Sequence, residues 1–293
     1  MENEIYYEYD VLINKLNNLA LEGGYVFRGY SKQEQMLPGL IRNNAIDCEK
    51  ELLFKFEKYA RSYIRTSSPI DFWSDAQHYG LSTRLLDFTA NPYIALYFSL
   101  YNDKEDEEHC CSEDREFYYI RYCKTGQELV LRDLPITHLW TNDGYSSLAD
   151  DLVNVLDKFL TPYCQKGNLD DHFLKTISNR LIDCESLEEV QKKINEDRLL
   201  LLDPHQSNPR IIMQQGLFMI CYSLNKERHM EIINNDTSLV KIHKSLRPTL
   251  MTFLNSIGVN TYRLMPDLMS VCKMVEKQVR NEHARALADS IPM

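Results

Sequence analysis

Residues 93–100 read YIALYFSL, a stretch that is nearly all apolar. Asn91-Pro92 stands directly before it, the pattern of an N-cap followed by proline at the first helical position. The stretch therefore reads as a helix, and a helix that is apolar all round is buried all round. It is far too short to span a membrane. It must lie inside a folded core, covered by other elements on every side. A chain of 293 residues is long enough to supply that cover.

The flanking sequence supplies both helices and short strands. Residues 7–22 place Val11 or Leu12, then Leu16, Leu19 and Ala20, at helical spacing, and Gly23-Gly24 stops that helix. Tyr25-Val26-Phe27 is β-prone and reads as a strand ending in Arg28-Gly29. Residues 31–44 read as an irregular loop with a turn at Pro38-Gly39. An amphipathic helix is expected from Asp47 to Arg65, and a short one over 70–78, opened by Ser68-Pro69 and closed by Gly80. Leu81–Phe88 reads as extended, and 102–116, acidic and polar, as a solvated loop and the segment expected to move most.

Further along, Phe117–Cys123 reads as a strand, 145–197 as helix-rich, and Leu199–Leu202 as a short strand. Arg210–Tyr222 reads as two strands hinged at Gln214-Gln215-Gly216. Val240–Ile257 has a helical pattern, begun or interrupted near Pro248. Asn260–Leu264 reads as a last strand, and Pro266 opens a final helix to about Ala288. No internal repeat and no linker rich in Gly, Ser or Pro is visible. The expectation is one α+β domain over 1–293: a small twisted mixed sheet flanked by helices, with its core at about 20–125 and 199–270 and a helical insertion at about 145–197.

Charge and motifs narrow the function classes. Lys plus Arg is 33 and Asp plus Glu is 43, so the net charge is 33 − 43 = −10. That balance disfavours a general nucleic-acid binder, unless Arg28, Lys32, Arg42, Arg61 and Arg65 share a face. The eight cysteines show no CxxC spacing and the histidines no HExxH pair, so no metal is expected. The first residues, MENEIYYEYD, lack the basic and apolar regions of a secretory leader. A soluble, cytoplasmic protein without membrane contact is expected. GxGxxG, Walker A and GxSxG motifs are all missing, which demotes dinucleotide dehydrogenases, P-loop NTPases and α/β-hydrolases.

The chemistry concentrates in one block, DFWSDAQHYGLSTRLLDFTANPYIALYFS, residues 71–99. It sets Gln77, His78, Ser82, Thr83, Arg84, Asp87, Thr89 and Asn91 among apolar neighbours, and polar groups in such surroundings need partners or water. The structural reading pairs Arg84 with Asp87 and lets His78 cap the helix end near Gly80. The functional reading makes the block a binding cleft. Arg28, beside Gly29 at a strand end, has the same two readings: an ion pair holding the 31–44 loop, or a bidentate contact to phosphate or carboxylate. Gln214 and Gln215 carry adjacent amides that read a ligand amide or ribose, although neighbours on a strand face opposite ways.

At these residues the chain resembles a known family. Val26-Phe27-Arg28-Gly29, Leu37-Pro38-Gly39-Leu40-Ile41-Arg42, Ala76-Gln77-His78-Tyr79-Gly80, Thr83-Arg84-Leu85-Leu86-Asp87-Phe88-Thr89 and Asn91-Pro92-Tyr93-Ile94-Ala95-Leu96-Tyr97-Phe98 look like the FRG domain of bacterial and phage proteins. The resemblance is strong over about 20–125, and weaker through Asn208–Phe218 and Met265-Pro266-Asp267-Leu268. A more remote resemblance is to Arg-Ser-Glu-type ADP-ribosyltransferases, with Val26–Gly29 as the first element and Ser82-Thr83 opening the second. The third element departs from that pattern, because Met213-Gln214-Gln215-Gly216 has no Glu.

These resemblances imply a cleft in which Arg28 holds a phosphate and Thr83 supports it or the ribose. Gln77, Ser82, Arg84, Gln214 and Gln215 would be further ligand-binding residues, and His78 and Asp87 would move protons. The implied activity is NAD- or nucleotide-directed transfer of the ADP-ribosyl type, with NAD as the small-molecule partner, in phage–host conflict or a toxin system. The alternatives are a non-catalytic module with a protein partner and a nucleic-acid-directed protein.

Overall fold

The computed structural model of the chain describes residues 3–60, 62–63, 69–101, 116–124, 129–131, 199–202, 204, 208–221 and 224–267, with short helical stretches at 271–272, 275–276 and 279–280. The expected mobile loop at 102–115 and the expected helical insertion at 145–197 lie outside the described residues. No described helix is long and apolar enough to cross a membrane.

In chain order the elements are β1 (Asn3–Tyr6), α1 (Tyr9–Glu22), β2 (Tyr25–Tyr30), a 3₁₀ turn at Gln33–Met36, α2 (Gly39–Arg42), α3 (Glu49–Ala60), α4 (Pro69–His78), β3 (Leu85–Thr89), α5 (Pro92–Leu100) and β4 (Phe117–Lys124). There follow β5 (Leu129–Leu131), β6 (Leu200–Leu202), α6 (Pro209–Gln214), β7 (Gly216–Ile220), α7 (Lys226–Asp236), β8 (Ser238–His243), α8 (Arg247–Ser256) and α9 (Thr261–Leu264). The eight strands form one mixed sheet in the order β1-β8-β4-β2-β3-β7-β6-β5. Among the described strands, only the two outermost pairs, β1–β8 and β5–β6, are parallel. The fold class is α+β with a mixed sheet.

The sheet is covered on both faces. On one, α1, α5 and α8 bury Leu12, Leu16, Leu19, Ile94, Leu96, Tyr97, Leu250 and Leu254 against Phe27, Ile120, Val240 and Ile242. On the other, Met36, Leu53, Trp73, Ile232 and Ile233 pack against Val26, Tyr30, Phe88 and Phe218. Alternation along β2 does the sorting: Phe27 faces α5, while Val26, Arg28 and Tyr30 face the opposite way.

The apolar helix at 93–100 is α5, in the centre of its layer. The Asn91 side chain accepts from Tyr93 N–H at 2.9 Å and Pro92 opens the first turn, as the sequence pattern predicts. The asparagine cap overrides two other expectations. Asn208 accepts from Arg210 N–H at 3.0 Å and Pro209 follows, so RIIMQ is helix α6, and only Gly216–Ile220 is a strand. Gln215 ends α6 in the left-handed region with φ 47°. Asn260 accepts from Arg263 N–H at 3.2 Å, which makes TYRL a helical turn and not a strand. Pro248 lies in the first turn of α8, and the residues before it, with Val240 and Ile242 buried and their neighbours less so, form β8. Residues 31–44 are ordered as the 3₁₀ turn and α2 and are not an irregular loop.

Gly29 sets how closely the helical layer approaches. A Cβ built there would sit on the carbonyl oxygen of Ala95, 2.7 Å from that residue's carbonyl carbon and 2.8 Å from the nitrogen of Ser99. All three are backbone atoms of α5, which no rotamer change can move aside. A Gly29→Ala chain should therefore lose about 3 kcal/mol or more, the upper end of overpacking costs. Urea unfolding of the purified variant checks this, and a stability within 1 kcal/mol of wild type, roughly the mean cost of an ordinary substitution, would show that α5 shifts freely.

Candidate functional site

Arg28 leaves β2 on the face away from α5. Between β2 and β3 only one residue pair, Phe27 and Thr89, is in ladder register. Where the strands part, the guanidinium takes over: Nη1 donates to the backbone oxygen of Asp87 and Nη2 to that of Gln35 at 2.7 Å. The same Nη1 lies 3.7 Å from the Asp87 carboxylate. Arg28 is largely buried, its side chain 13% exposed, and its Nε has no partner among the described residues. Burial pulls the guanidinium's pKa down from its ordinary value, while Asp87 opposes that pull.

Asp87 is the exception on a strand whose other four residues are buried. Its side chain is 60% exposed. One carboxylate oxygen accepts from Gln77 Nε2 at 2.7 Å. The Gln77 carbonyl in turn accepts from the Thr83 hydroxyl, and Thr83 Oγ1 accepts from Leu85 N–H at 3.2 Å. Both ends of the Gln77 amide are thus occupied, which fixes its orientation and aims its N–H₂ at the carboxylate.

These groups line a cavity of about 180 Å³ together with Arg42, Asn43, Ser82 and the apolar Leu81, Leu85 and Leu86. Gly39 brings α2 to the cavity: a Cβ there would approach Ser82 Cα to 3.1 Å, and Leu40 N–H donates to Thr83 O at 3.2 Å. Asn43 Nδ2 donates to Ser82 Oγ at 2.8 Å across the rim. Arg42 is exposed and has no ion-pair partner among the described residues.

Of the residues singled out in the sequence, Arg28, Gln77, Ser82, Thr83 and Asp87 converge on this cavity, and His78, Arg84, Gln214 and Gln215 do not line it. Arg84 is 4% exposed and makes a two-pronged pair with Glu49, Nε to Oε1 at 2.7 Å and Nη2 to Oε2. It does not pair with Asp87, because β3 carries the two side chains to different places. Thr89 Oγ1 donates to the Gln214 backbone at 2.6 Å, and the Gln214 amide to Leu264 O at 2.8 Å, so Gln214 pins α6 to β3 and α9. Gln215 is exposed at the left-handed turn. Asn43, Gln35 and Glu49 are not among the residues that the sequence points to, and Arg42 enters there only within a family motif and as one of five cations of a nucleic-acid face. Pro38-Gly39 is the local signal that would have pointed to Arg42 and Asn43.

His78 lies at the end of α4 among other charges. Arg210 donates to its backbone oxygen at 3.4 Å and pairs with Asp267 at 2.8 Å, and Asn208 Nδ2 donates to Asp75 at 3.1 Å. These bonds clasp the end of α4 from the far side. The His78 ring nitrogen Nε2 is buried without a partner among the described residues. Burial first and the Arg210 charge second push its pKa down to about 4, against the pull of Asp87 and Asp267. A general base facing the cavity would need another placement.

Residues 23–108 match the family model of the FRG domain. The chain carries an FRG domain. No curated protein and no solved structure matches it. The motif that names the FRG domain divides its labour by strand alternation. Phe27 is core and Gly29 is the seat of α5, while Arg28 alone reaches the cavity. The sheet neighbours of the domain's two strands, β4 and β7, come from outside 23–108.

Two outcomes follow from the buried charges. Arg84→Ala leaves Glu49 buried without its partner and should cost about 3–5 kcal/mol, measured by urea unfolding. The His78 pKa is lowered on folding, so between pH 6.5 and about 4 the unfolded chain binds a proton that the folded chain excludes. Stability should therefore fall as pH drops through that window. His78→Gln should flatten the decline, leaving the share due to buried His229, whose pKa burial also lowers. Midpoints of urea unfolding across pH 7 to 4, roughly the titration range of histidine and shifted carboxylates, test this, and equal slopes for the two chains would refute it.

Proposed function

We propose that the FRG domain is a nucleotide-directed transferase of the ADP-ribosyl type, with NAD as its small-molecule substrate and Asp87 as its central catalytic residue. The observation that carries this reading is the Asp87 carboxylate, exposed on a buried strand and held at the cavity by Gln77 and Arg28. An anion fixed on a rigid strand is suited to stabilising positive charge that develops nearby.

The chemistry assigns each neighbour a task. The bond between ribose C1′ and the nicotinamide nitrogen breaks, and nicotinamide leaves with the bonding pair. The oxocarbenium-like ribose faces Asp87. An acceptor hydroxyl or amine then bonds to C1′ and gives its proton to the same carboxylate. Asp87 thus substitutes for the acidic residue that Met213–Gly216 lacks. Arg28 donates to two backbone oxygens, one of them that of Asp87 itself, and lies beside the Asp87 carboxylate, so it positions Asp87. The phosphate falls to Arg42, and Ser82 and Asn43 offer groups to the ribose hydroxyls. A cavity of about 180 Å³ is smaller than pockets that enclose a whole cofactor, roughly 300–1,000 Å³, so it takes the ribosyl phosphate end and leaves the rest outside. The setting in phage–host conflict or toxin action rests on the family resemblance alone.

The test combines thermal shift with NAD, ADP-ribose and ATP, and chromatographic assay of nicotinamide release. Asp87→Asn keeps an acceptor for Gln77 and should fold normally, yet lose at least about a hundredfold in release. Arg42→Ala should weaken nucleotide binding about ten- to a hundredfold. No shift with any nucleotide would favour a non-catalytic module with a protein partner. Full activity of Asp87→Asn would end the catalytic assignment.

A further inference from the structure

A second cavity, of about 460 Å³ and larger than the one beside Arg28, lies elsewhere on the sheet. Opposite residues of a ladder share a face. Arg28 stands opposite Arg121, Tyr30 opposite Tyr119, and Tyr119 opposite Lys241. The cavity is therefore on the Arg28 face, over β2, β4 and β8. Tyr30, Tyr119, Arg121, Lys241, Asn234 and Gln33 line it.

Arg121 is the unusual group. It is 6% exposed, in a chain of net charge −10. Arg84, equally buried, has Glu49, and Arg28 has Asp87. Arg121 has only neutral acceptors: Nε donates to the Tyr30 hydroxyl at 3.1 Å, Nη1 to Thr237 Oγ1 at 2.9 Å and Nη2 to Asn234 Oδ1 at 2.7 Å. Among the described residues no carboxylate pairs with it, nor with Lys241. A buried cation without a counter-charge is costly unless something supplies the charge. A guanidinium has five N–H groups, and these three bonds leave two for a ligand. Tyr30 accepts from Arg121, so its own O–H is left to donate. Lys241 adds an ammonium on the next strand.

We propose that this cavity is a second ligand site, taking a phosphorylated small molecule through its phosphate group. Arg121 offers the fork that matches phosphate oxygens, Lys241 the second charge, and Tyr30 a hydroxyl donor. The volume exceeds what a bare anion fills and falls in the range of small-molecule pockets. The remainder of the ligand then lies along the Tyr119 ring, which stacks on Tyr30 with centroids 5.3 Å apart.

Calorimetric titration of the full chain with inorganic phosphate and ribose 5-phosphate, at ionic strength held constant with chloride, tests the site. Both probes should bind saturably, ribose 5-phosphate the more tightly. Lys241→Gln should weaken binding about tenfold or more, whereas Lys244→Gln, which removes an equal charge from the exposed turn after β8, should leave it unchanged. Arg121→Lys should weaken it further; where that chain fails to fold, the lysine pair decides. Absence of saturable binding, equal losses in the two lysine variants, or acetate and citrate binding as well as phosphate would each overturn the proposal.

Discussion

Because Gly29 carries no side chain, the backbone of α5 lies directly on β2, with the Ala95 carbonyl where a Cβ would stand. That contact determines the rest of the arrangement. It draws the apolar helix into the centre of one layer, where Phe27 packs with Ile94, Leu96 and Tyr97 on the same side of the sheet. Since residues along a strand alternate, placing 27 and 29 on the helix commits 28 to the opposite face. The charge of Arg28 is then delivered to where β2 and β3 part beyond their single paired residues, Phe27 and Thr89, and its guanidinium ties the two strands where the ladder does not. A packing constraint on one side of the sheet thus fixes an electrostatic feature on the other.

Three arginines on or beside this sheet show how differently a buried guanidinium is handled. Arg84 is neutralised by Glu49 and stacks near Trp73, with its charge centre 6.0 Å from the ring, so it serves the fold. Arg28 is held mainly by two backbone oxygens and shares only the edge of Asp87, which leaves that carboxylate exposed. Arg121 has, among the described residues, neutral oxygens alone. Coulomb energies in low dielectric are large, so each arrangement carries a different electrostatic demand. Where the fold meets the demand with a carboxylate the residue is scaffold. Where it does not, the surroundings are organised to receive an anion or to direct one.

Much of this was legible in the chain, and the failures have physical causes. The buried helix at 93–100 followed from composition and its Asn-Pro cap, and the block from Gln77 to Asp87 drew attention because so many polar groups sat among apolar ones. Its division into cavity and scaffold was not legible. Arg84 and Asp87 are three residues apart in sequence, but the partner that satisfies Arg84 is 35 residues away on α3, and sequence spacing offers only local candidates. The strand reading of 210–214 and of 260–264 trusted β-prone side chains over the asparagine caps at 208 and 260, although the same cap had been decisive at 91. Local hydrogen bonding to the first turn outweighed side-chain propensity in each case. β1 and β8 are each short and pair with strands far away in sequence, so neither shows a hairpin signal, and the β8 residues from Val240 on merge into a helical pattern.

One short turn reaches toward both cavities. Gln33 borders the larger one, and two residues on, the Gln35 carbonyl accepts from Arg28, which borders the smaller. Between and beneath them Met36 is fully buried, and its carbonyl lies 2.8 Å from Nε2 of buried His229. The Gln35 side chain accepts from Ser31 and Lys32 N–H at 2.8 and 3.0 Å and closes the turn on itself. The segment from Ser31 to Met36 is therefore held at three points, and one of them is the arginine that positions Asp87. Coupling between two sites requires an element whose state both can bias. The turn is where such an element would have to lie, because it carries Gln33 at one cavity and the Gln35 carbonyl on Arg28 at the other. Releasing Nη2 of Arg28 in turn would loosen its hold on the Asp87 carboxylate. Any influence of the larger cavity on Asp87 would thus have to pass through that one backbone carbonyl.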